Sequence, residues 1–553
     1  MPLLRGLAAG LPGPQQTAPS ALYHSGKEAK AAGRIEEARE LWERAVELDP
    51  EYAPACLALG FLYLELSHTE EAEYCFQLAR YHVGDSPDVL LALANLCVVE
   101  RRCEEALEYL ATARQLAPER VEVHALAASA YTALDRIEEA LVAWERVLRL
   151  DPNHAEACNN LGRLYLLTRG QIKEARVFLL RALQSNPNLL EARLNLYQAL
   201  ADEGDIEGAI AGFDRLVDSP LREDALWHRA VASLKAGRFA EGWRDYGCRW
   251  NRPEMPRRPF AFPPWHGDSL NGKTLLVYAE QGLGDEIMFA SCIPDLIRQA
   301  QGRIVLECNP KLERLLQRSF PAVEVIGMPR TLGTPAWLAE RGPVDYQSAI
   351  GDLPGWFRPD GSSFPSHGGY LRPDSRRVEH WRGRLATLGE GPKIGISWRG
   401  GLARTRRDLR SIPLLEWLPL LTLAGIHFVS LQYTDCSQEI TQLRECCGIR
   451  IQHWQEAIDD YDETAALVTA LDGVISVCTA IVHLGGALGR PVWVLVPKIS
   501  EWRYLATGEC MPWYPSVRLF RQGKDEDWAD VMDRVVARMR EEGSFVVPLS
   551  PER

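Results

Sequence analysis

Alanines stand at positions 38, 72, 106 and 140, a step of 34 residues each time, and again at 175 and 209. Four residues beyond each comes a large apolar residue: Trp42, Phe76, Leu110, Trp144, Leu179 and Phe213. Seven beyond each comes Ala45, Ala79, Ala113, Val147, Ala182 or Leu216. Offsets of four and seven put all three on one face of a helix, with the small residue where two helices cross closely. Pro50, Pro118, Pro152, Pro187 and Pro220 close the second helix of five units. The first helices carry matching sets such as Leu59, Gly60 and Tyr63, or Leu161, Gly162 and Tyr165. The pattern predicts six helix pairs in register and a weaker seventh from about Glu223 to Trp250, with Gly237, Gly242 and Tyr246 near the expected places.

This is the 34-residue tetratricopeptide signature. One such pair cannot bury its apolar face alone, so the units are expected to stack and curve into a superhelix with first helices lining the concave side. Asn95, Asn160 and Asn195 lie on first helices. Two readings stay open for them: solvated surface, or a short asparagine ladder gripping an extended peptide backbone. The seventh pair is expected to pack on the following region through Trp243, Tyr246 and Trp250.

The periodicity changes at Asn251–Pro264, where five prolines and the aromatics Phe260, Phe262 and Trp265 mark a junction. Strands are predicted at 272–278, 303–308 and 323–326, with a helix from Asp285 and another over 311–318. Between about Met328 and Gly369 the chain is rich in Gly, Pro and aromatics and has little periodicity. Further strands are predicted at 393–397, 427–431, 473–477 and 492–496. Helices are predicted over 379–388, 412–423 (behind Ser411 as a cap), 463–470, 484–488 and 527–540. Alternating strands and helices imply two parallel α/β sheets, with a cleft at the carboxyl ends of their strands.

Three glycine-rich turns follow strands: Gln281-Gly-Leu-Gly-Asp285, Trp398-Arg-Gly-Gly401 and Thr479-Ala-Ile-Val-His-Leu-Gly-Gly486. Free N–H groups at such turns suit a phosphate. The second leads into Arg399, Arg404, Arg406, Arg407 and Arg410, five arginines in twelve residues of a chain whose net charge is −13. Guanidinium groups at that density suit a diphosphate, although a solvated basic helix end would look similar. No GxxxxGK[ST] loop and no complete GxGxxG occurs, and no His, Cys or carboxylate cluster has metal spacing. The site is therefore expected to neutralise its leaving group with arginines and backbone groups, without metal or cofactor. The negative charge argues against nucleic acid. No apolar run is long enough to span a bilayer. Thirteen scattered cysteines fit a reducing compartment, so a cytoplasmic location is expected.

Several of these segments together resemble a known grouping. They are Ala279-Glu-Gln-Gly-Leu-Gly-Asp-Glu-Ile287, Ser411-Ile-Pro413 and Cys478-Thr-Ala-Ile-Val-His-Leu-Gly-Gly-Ala-Leu-Gly489. From about Trp265 to Gln522 the chain resembles the ADP-heptose lipopolysaccharide heptosyltransferases. The tandem layout resembles the bacterial tetratricopeptide-fused glycosyltransferases and, more broadly, the O-linked N-acetylglucosamine transferases. Trp265–Lys273 and the segments Trp502-Arg-Tyr and Pro512-Trp-Tyr-Pro515 resemble the fused branch, and offer Trp and Tyr for stacking a base or sugar.

The resemblance implies a GT-B fold of two Rossmann-like domains behind the repeat solenoid. The expected divisions are a leader over 1–18, repeats over 19–250, an acceptor-side domain over 251–372, and a nucleotide-sugar-side domain over 373–553 with a final crossing helix. It implies Asp285 as general base, with Glu280 the nearest substitute unless that side chain turns toward the interdomain linker. It places Thr479, His483 and Gly485 in the donor-phosphate loop, with His483 expected as a second catalytic group that donates to a donor phosphate or to the sugar. The glycine turns and the arginine run add Gly282, Gly284, Arg399, Gly400, Arg404 and Arg406 as residues expected to hold the donor. The family loop usually begins with aspartate where this chain has Cys478. Three functions stay open: sugar transfer from a nucleotide-sugar donor to a protein held by the repeats, transfer to a lipid-linked or surface glycan, and a scaffold without catalysis. Homo-oligomers are compatible with each.

Overall fold

The computed structural model describes residues 18–252, 255–331, 333–339, 341–401, 407–523 and 527–542, with nothing stated of the side chains of Arg169 and Glu542. Two compact units emerge. One runs to Leu164 and takes in Arg181–Pro187; the other holds Tyr165–Leu180 and everything from Asn188 onward.

Helix pairs follow one another from Pro19–Ala31 with Ile35–Leu48 to Arg222–Lys235 with Phe239–Tyr246, seven pairs in the predicted register. In the first unit the repeating small and large residues meet as their spacing requires. A Cβ added to Gly26 would stand 2.3 Å from the Trp42 ring, and one added to Gly60 would stand 2.4 Å from Phe76. Trp42, Phe76, Leu110 and Trp144 are buried with the alanines three residues beyond them on the same helices (Ala45, Ala79, Ala113), Val147 taking that place beside Trp144. Trp144→Ala removes a packed indole from the fourth pair and is expected to cost about 3–5 kcal/mol. A denaturation midpoint that hardly moves would contradict this packing.

The fifth first helix, Ala155–Leu164, passes into a π turn at Tyr165–Arg169. From that turn on the repeats fold with the rest of the chain. Leu166, Ile172, Leu179 and Ala199 share a core with Ile499, and Leu409 packs on it. At the end of the repeats Trp243 donates its indole N–H to the Arg358 carbonyl at 2.9 Å. Its ring lies 5.5 Å from Trp502, and Trp250 lies 6.2 Å from Tyr278. The change in periodicity at Asn251 therefore marks a change of architecture, not the edge of a packing unit.

Among the described residues beyond the repeats lie two sheets. The first holds β1 (Thr274–Tyr278), β2 (Arg303–Cys308), β3 (Glu324–Gly327) and β4 (Tyr346–Ala349), parallel throughout in the order β3-β2-β1-β4. The second holds β5 (Lys393–Ser397), β6 (His427–Ser430), β7 (Ile451–Gln452), β8 (Gly473–Val477), β9 (Val492–Val496), β10 (Cys510–Met511) and β11 (Tyr514–Arg521). Its order is β10-β11-β9-β8-β5-β6-β7, with only β10 antiparallel to its neighbour. Counting the parallel strands from β5, this is the 3-2-1-4-5-6 order of a doubly wound sheet, and strand order reverses between β5 and β8.

Several expectations need correction. β4 lies in the stretch read as lacking periodicity, and β11 in a segment read for its aromatics alone. The helix expected over 412–423 is instead a 3-10 turn (Leu414–Trp417) followed by Leu418–Leu421, because Pro413 and Pro419 interrupt it. Ser411 caps nothing there; its hydroxyl donates to the Arg407 carbonyl at 2.7 Å. The final helix, Trp528–Glu542, buries Val531, Met532, Val535 and Met539 in the core of the second sheet with Trp417 and Phe520.

Candidate functional site

The reversal point of the second sheet is built by the loops that leave β5 and β8. After β5 the chain runs through Trp398-Arg-Gly-Gly401, and the Gln432 carboxamide clamps it: Oε1 accepts the Trp398 and Arg399 N–H groups at 3.3 Å, and Nε2 donates to the Arg399 carbonyl at 2.8 Å. After β8, Thr479 caps the helix Ala480–Ala487 by accepting the Ile481 N–H at 3.3 Å. The two turns touch. A Cβ on Gly400 would sit 2.5 Å from Thr479 Cγ2, so a side chain there would push them apart. Tyr433, half exposed, accepts the Gly401 N–H at 2.8 Å on its hydroxyl.

Facing this from the first sheet is the helix Leu283–Ala290, which opens the turn after β1 with Gly282 as its cap. Asp285 returns to that cap, its Oδ2 accepting the Gly282 N–H at 3.2 Å. Gly284 allows the two helices to meet: a Cβ on it would stand 3.0 Å from His483 Cδ2 and 3.4 Å from Ala480 Cα. Asp285, Gly282, Gly284, Gly400, Thr479 and His483 are thus brought to one place.

His483 is buried in the first turn of its helix, with Nδ1 3.2 Å from the Tyr514 hydroxyl. Burial, and next the nearby Arg503 charge, push its titration well below the ordinary value, so the ring is neutral near pH 7. Gly485 lies elsewhere. It sits inside the helix, where a Cβ would meet Val492 at 2.6 Å, so it packs the helix on β9 and belongs to no turn. Arg399 also turns away, its guanidinium held at 2.5 Å by both Glu439 and the Asp435 carbonyl. Arg404 and Arg406 lie outside the described residues. Trp502, Tyr504, Trp513 and Tyr514 are buried in an aromatic core with Trp243 and Phe364 and offer no free face for stacking. Glu280 takes the linker alternative: Arg249 binds it through two nitrogens at 2.6 and 2.9 Å. Cys478 is buried, its thiol 3.8 Å from the Leu495 carbonyl and pushed up to about 12 by burial.

The sequence reading missed a chain of charges that joins the sheets. Arg410 Nη1 meets Glu501 Oε1 at 2.7 Å, Glu501 binds Arg503, and Arg503 Nη2 meets Asp285 Oδ1 at 2.6 Å. The alternation Glu501-Trp-Arg503 is its one trace in the sequence. Beside Asp285, burial raises the Glu286 carboxyl from 4.5 to about 7, against a hydrogen bond from the Asn309 N–H at 2.9 Å. Folded Glu286 thus keeps its proton to a higher pH than the unfolded chain does, so stability falls as pH rises from about 4.5 to 7 and then levels. At most about 3 kcal/mol is involved, at 1.36 kcal/mol per pH unit. In Glu286→Gln the denaturation midpoint is expected to lose this part of its fall between pH 5 and 8. An unchanged slope would contradict the assignment.

Among the described residues no group of three or more His, Cys, Asp and Glu is placed to hold a metal ion, and no helix is long and apolar enough to cross a membrane.

Comparison with known proteins adds to this geometry. A tetratricopeptide-repeat profile matches residues 29–96 and 166–234, and a second repeat profile matches 128–168. Protein FlbA of Caulobacter vibrioides is 34% identical over 509 residues, 88% of this chain and 84% of that protein. The chain belongs to the FlbA family. Cellulose synthase operon protein C of Pseudomonas fluorescens is 31% identical over 182 residues, 31% of this chain but 14% of that protein. Among solved structures, a repeat protein of Thermus thermophilus is 24% identical and covers 33% of this chain and 99% of its own, with a TM-score of 0.30. The likeness to FlbA runs through both the repeats and the α/β half of this family member.

Proposed function

We propose that the chain is a glycosyltransferase of GT-B type that moves a sugar from a nucleoside-diphosphate donor to a protein held by its repeats. One observation carries the reading. The reversal point of a doubly wound sheet, where such sheets bind nucleotides, is lined by Gly400 and Thr479 and faced by the carboxylate of Asp285 from a second parallel sheet. The donor diphosphate lies at the start of the Ala480–Ala487 helix, where the helix dipole favours negative charge. Arg404 and Arg406, which follow β5 in the sequence, add to its neutralisation.

In the reaction an acceptor oxygen forms a bond to the anomeric carbon while the bond from that carbon to the diphosphate breaks. The bonding electrons leave on the diphosphate oxygen, stabilised by the helix end and the arginines. The acceptor proton passes to Asp285, and the anomeric configuration inverts. Neutral His483 donates a hydrogen bond from its second ring nitrogen. The first helices of the repeats hold the acceptor; Asn95 and Asn160 on those of the first unit are half-buried, and Asn195, in the second unit, is buried. All thirteen cysteines are free, ten of them buried, which supports a reducing, cytoplasmic setting.

The test is to incubate candidate acceptor proteins with the full chain and a panel of nucleotide sugars, then weigh them intact. A mass gain of one sugar residue on a protein is expected. A gain only on glycans, or none with any donor, would contradict the reading.

A further inference from the structure

Asp285 presents a difficulty for the reading just given, and the charges around it suggest the answer. As it stands, both carboxylate oxygens are occupied, one by Arg503 and the other by the Gly282 N–H. The Oδ1 that Arg503 fills is closed to an acceptor hydroxyl. Arg503 is itself divided between two carboxylates, Glu501 and Asp285. Its Nε is buried and has no acceptor among the described residues, although the side chain has five N–H groups to place. Arg503 also lies close enough to His483 and Cys478, on either side of the helix start, for its charge to act on both. Arg410, Glu501, Arg503 and Asp285 carry two positive and two negative charges, so the set balances only while no anion is bound.

We propose that Arg503 is a diphosphate-binding residue, held on Asp285 until the donor arrives. The inference rests on the proposed function and deepens it. A diphosphate at the start of the Ala480–Ala487 helix offers the planar guanidinium a more highly charged partner than one carboxylate, and the unfilled Nε–H a first acceptor. Arg503 then shifts its Nη2 contact from Asp285 to the phosphate oxygens, while Glu501 keeps hold of Nη1 and of Arg410. Asp285 Oδ1 is thereby freed for the acceptor hydroxyl at the step where the acceptor must give up its proton. Donor binding thus precedes productive acceptor binding, and Oδ1 is blocked whenever the donor site is empty.

The competition has a sign that a merely structural ion pair lacks. If Asp285 competes with the diphosphate for Arg503, removing the carboxylate must tighten nucleotide binding. Calorimetry of the full chain with UDP, GDP and ADP, on wild type, Asp285→Asn, Arg503→Met and Arg503→Lys, makes the test. At least one of the three nucleotides is expected to bind wild type. That nucleotide is expected to bind Asp285→Asn at least about threefold more tightly, and Arg503→Met about tenfold or more weakly, the loss of one charge-assisted contact. Arg503→Lys is expected to recover part of that loss. Asp285→Asn is nearly isosteric and keeps an acceptor for the Gly282 N–H, so it reports even if Arg503→Met fails to fold. If a nucleotide binds wild type and Asp285→Asn binds it equally or more weakly, Arg503 is not held in competition and the inference is overturned alone. If none of the three binds wild type, the proposed function falls and the inference with it.

Discussion

Arg249→Met is expected to lower the unfolding free energy of the second unit by about 3–5 kcal/mol, the range for breaking a buried ion pair from one side. Arg249 is wholly buried just past the last repeat helix. It binds Glu280 through two nitrogens, Asp352 at 2.6 Å and the Tyr246 carbonyl at 3.0 Å, and its guanidinium lies 4.3 Å from the Trp250 ring centroid. Glu280 in turn accepts the Gly351 N–H at 3.0 Å, so the pair ties the end of the repeats to the turns after β1 and β4. Methionine fills much of the space but leaves the Glu280 carboxylate buried without its counter-ion. The double variant Arg249→Met with Glu280→Gln removes that uncompensated charge and is expected to recover a large part of the loss. The chain has two packing units, so the loss should be read from near-ultraviolet signals of the tryptophans around Trp243, not from helix content alone. A loss below about 1 kcal/mol, the range of an exposed pair, would contradict this role.

The second large effect is on chemistry. Asp285→Asn is expected to reduce glycosyl transfer at least about 100-fold, the low end of what a general acid–base group contributes. Asparagine keeps the size of the side chain and an oxygen for the Gly282 N–H, so the helix Leu283–Ala290 still begins where it does. What it lacks is basicity. Glu280 cannot take over, because Arg249 holds it on the far side of the β1 turn. Glu286, one residue on, is buried and directs Oε2 to the Asn309 N–H. The loss should therefore appear in turnover while nucleotide affinity improves. Transfer within a few-fold of wild type would remove Asp285 from the reaction.

How far the sequence carries the account depends on the range of the interactions involved. The repeats are legible because Trp42 packs on Gly26 and Phe76 on Gly60, each in the adjacent helix, and the 34-residue period records it. The strands at Arg303–Cys308, Lys393–Ser397, Gly473–Val477 and Val492–Val496 are legible for a related reason. Each is short, mostly apolar and, beyond a charged first residue in two of them, buried on both faces. β4 is not legible, since Tyr346-Gln-Ser-Ala349 mixes polar and apolar residues and gains its place by pairing with β1 on one side and bridging Pro264 on the other.

The site divides along the same line. Gly284, Gly400, Thr479 and Asp285 could be read from turns that follow strands. Arg503 could not, because its partner Asp285 stands 218 positions away in the chain. Nor could the turning of Arg399 onto Glu439, 40 positions on. The basic run after β5 gives the charge of that loop and not the direction of each side chain.

The central claim is that the reversal point of the second sheet holds a nucleoside diphosphate against Asp285. It is tested most directly by a crystal structure of the full chain grown with the nucleotide that binds it. The account predicts the diphosphate at the start of the Ala480–Ala487 helix, beside Gly400 and Thr479, with Arg503 drawn from Asp285 to the phosphate oxygens. A nucleotide seated elsewhere, with the Arg503–Asp285 pair intact, would contradict it.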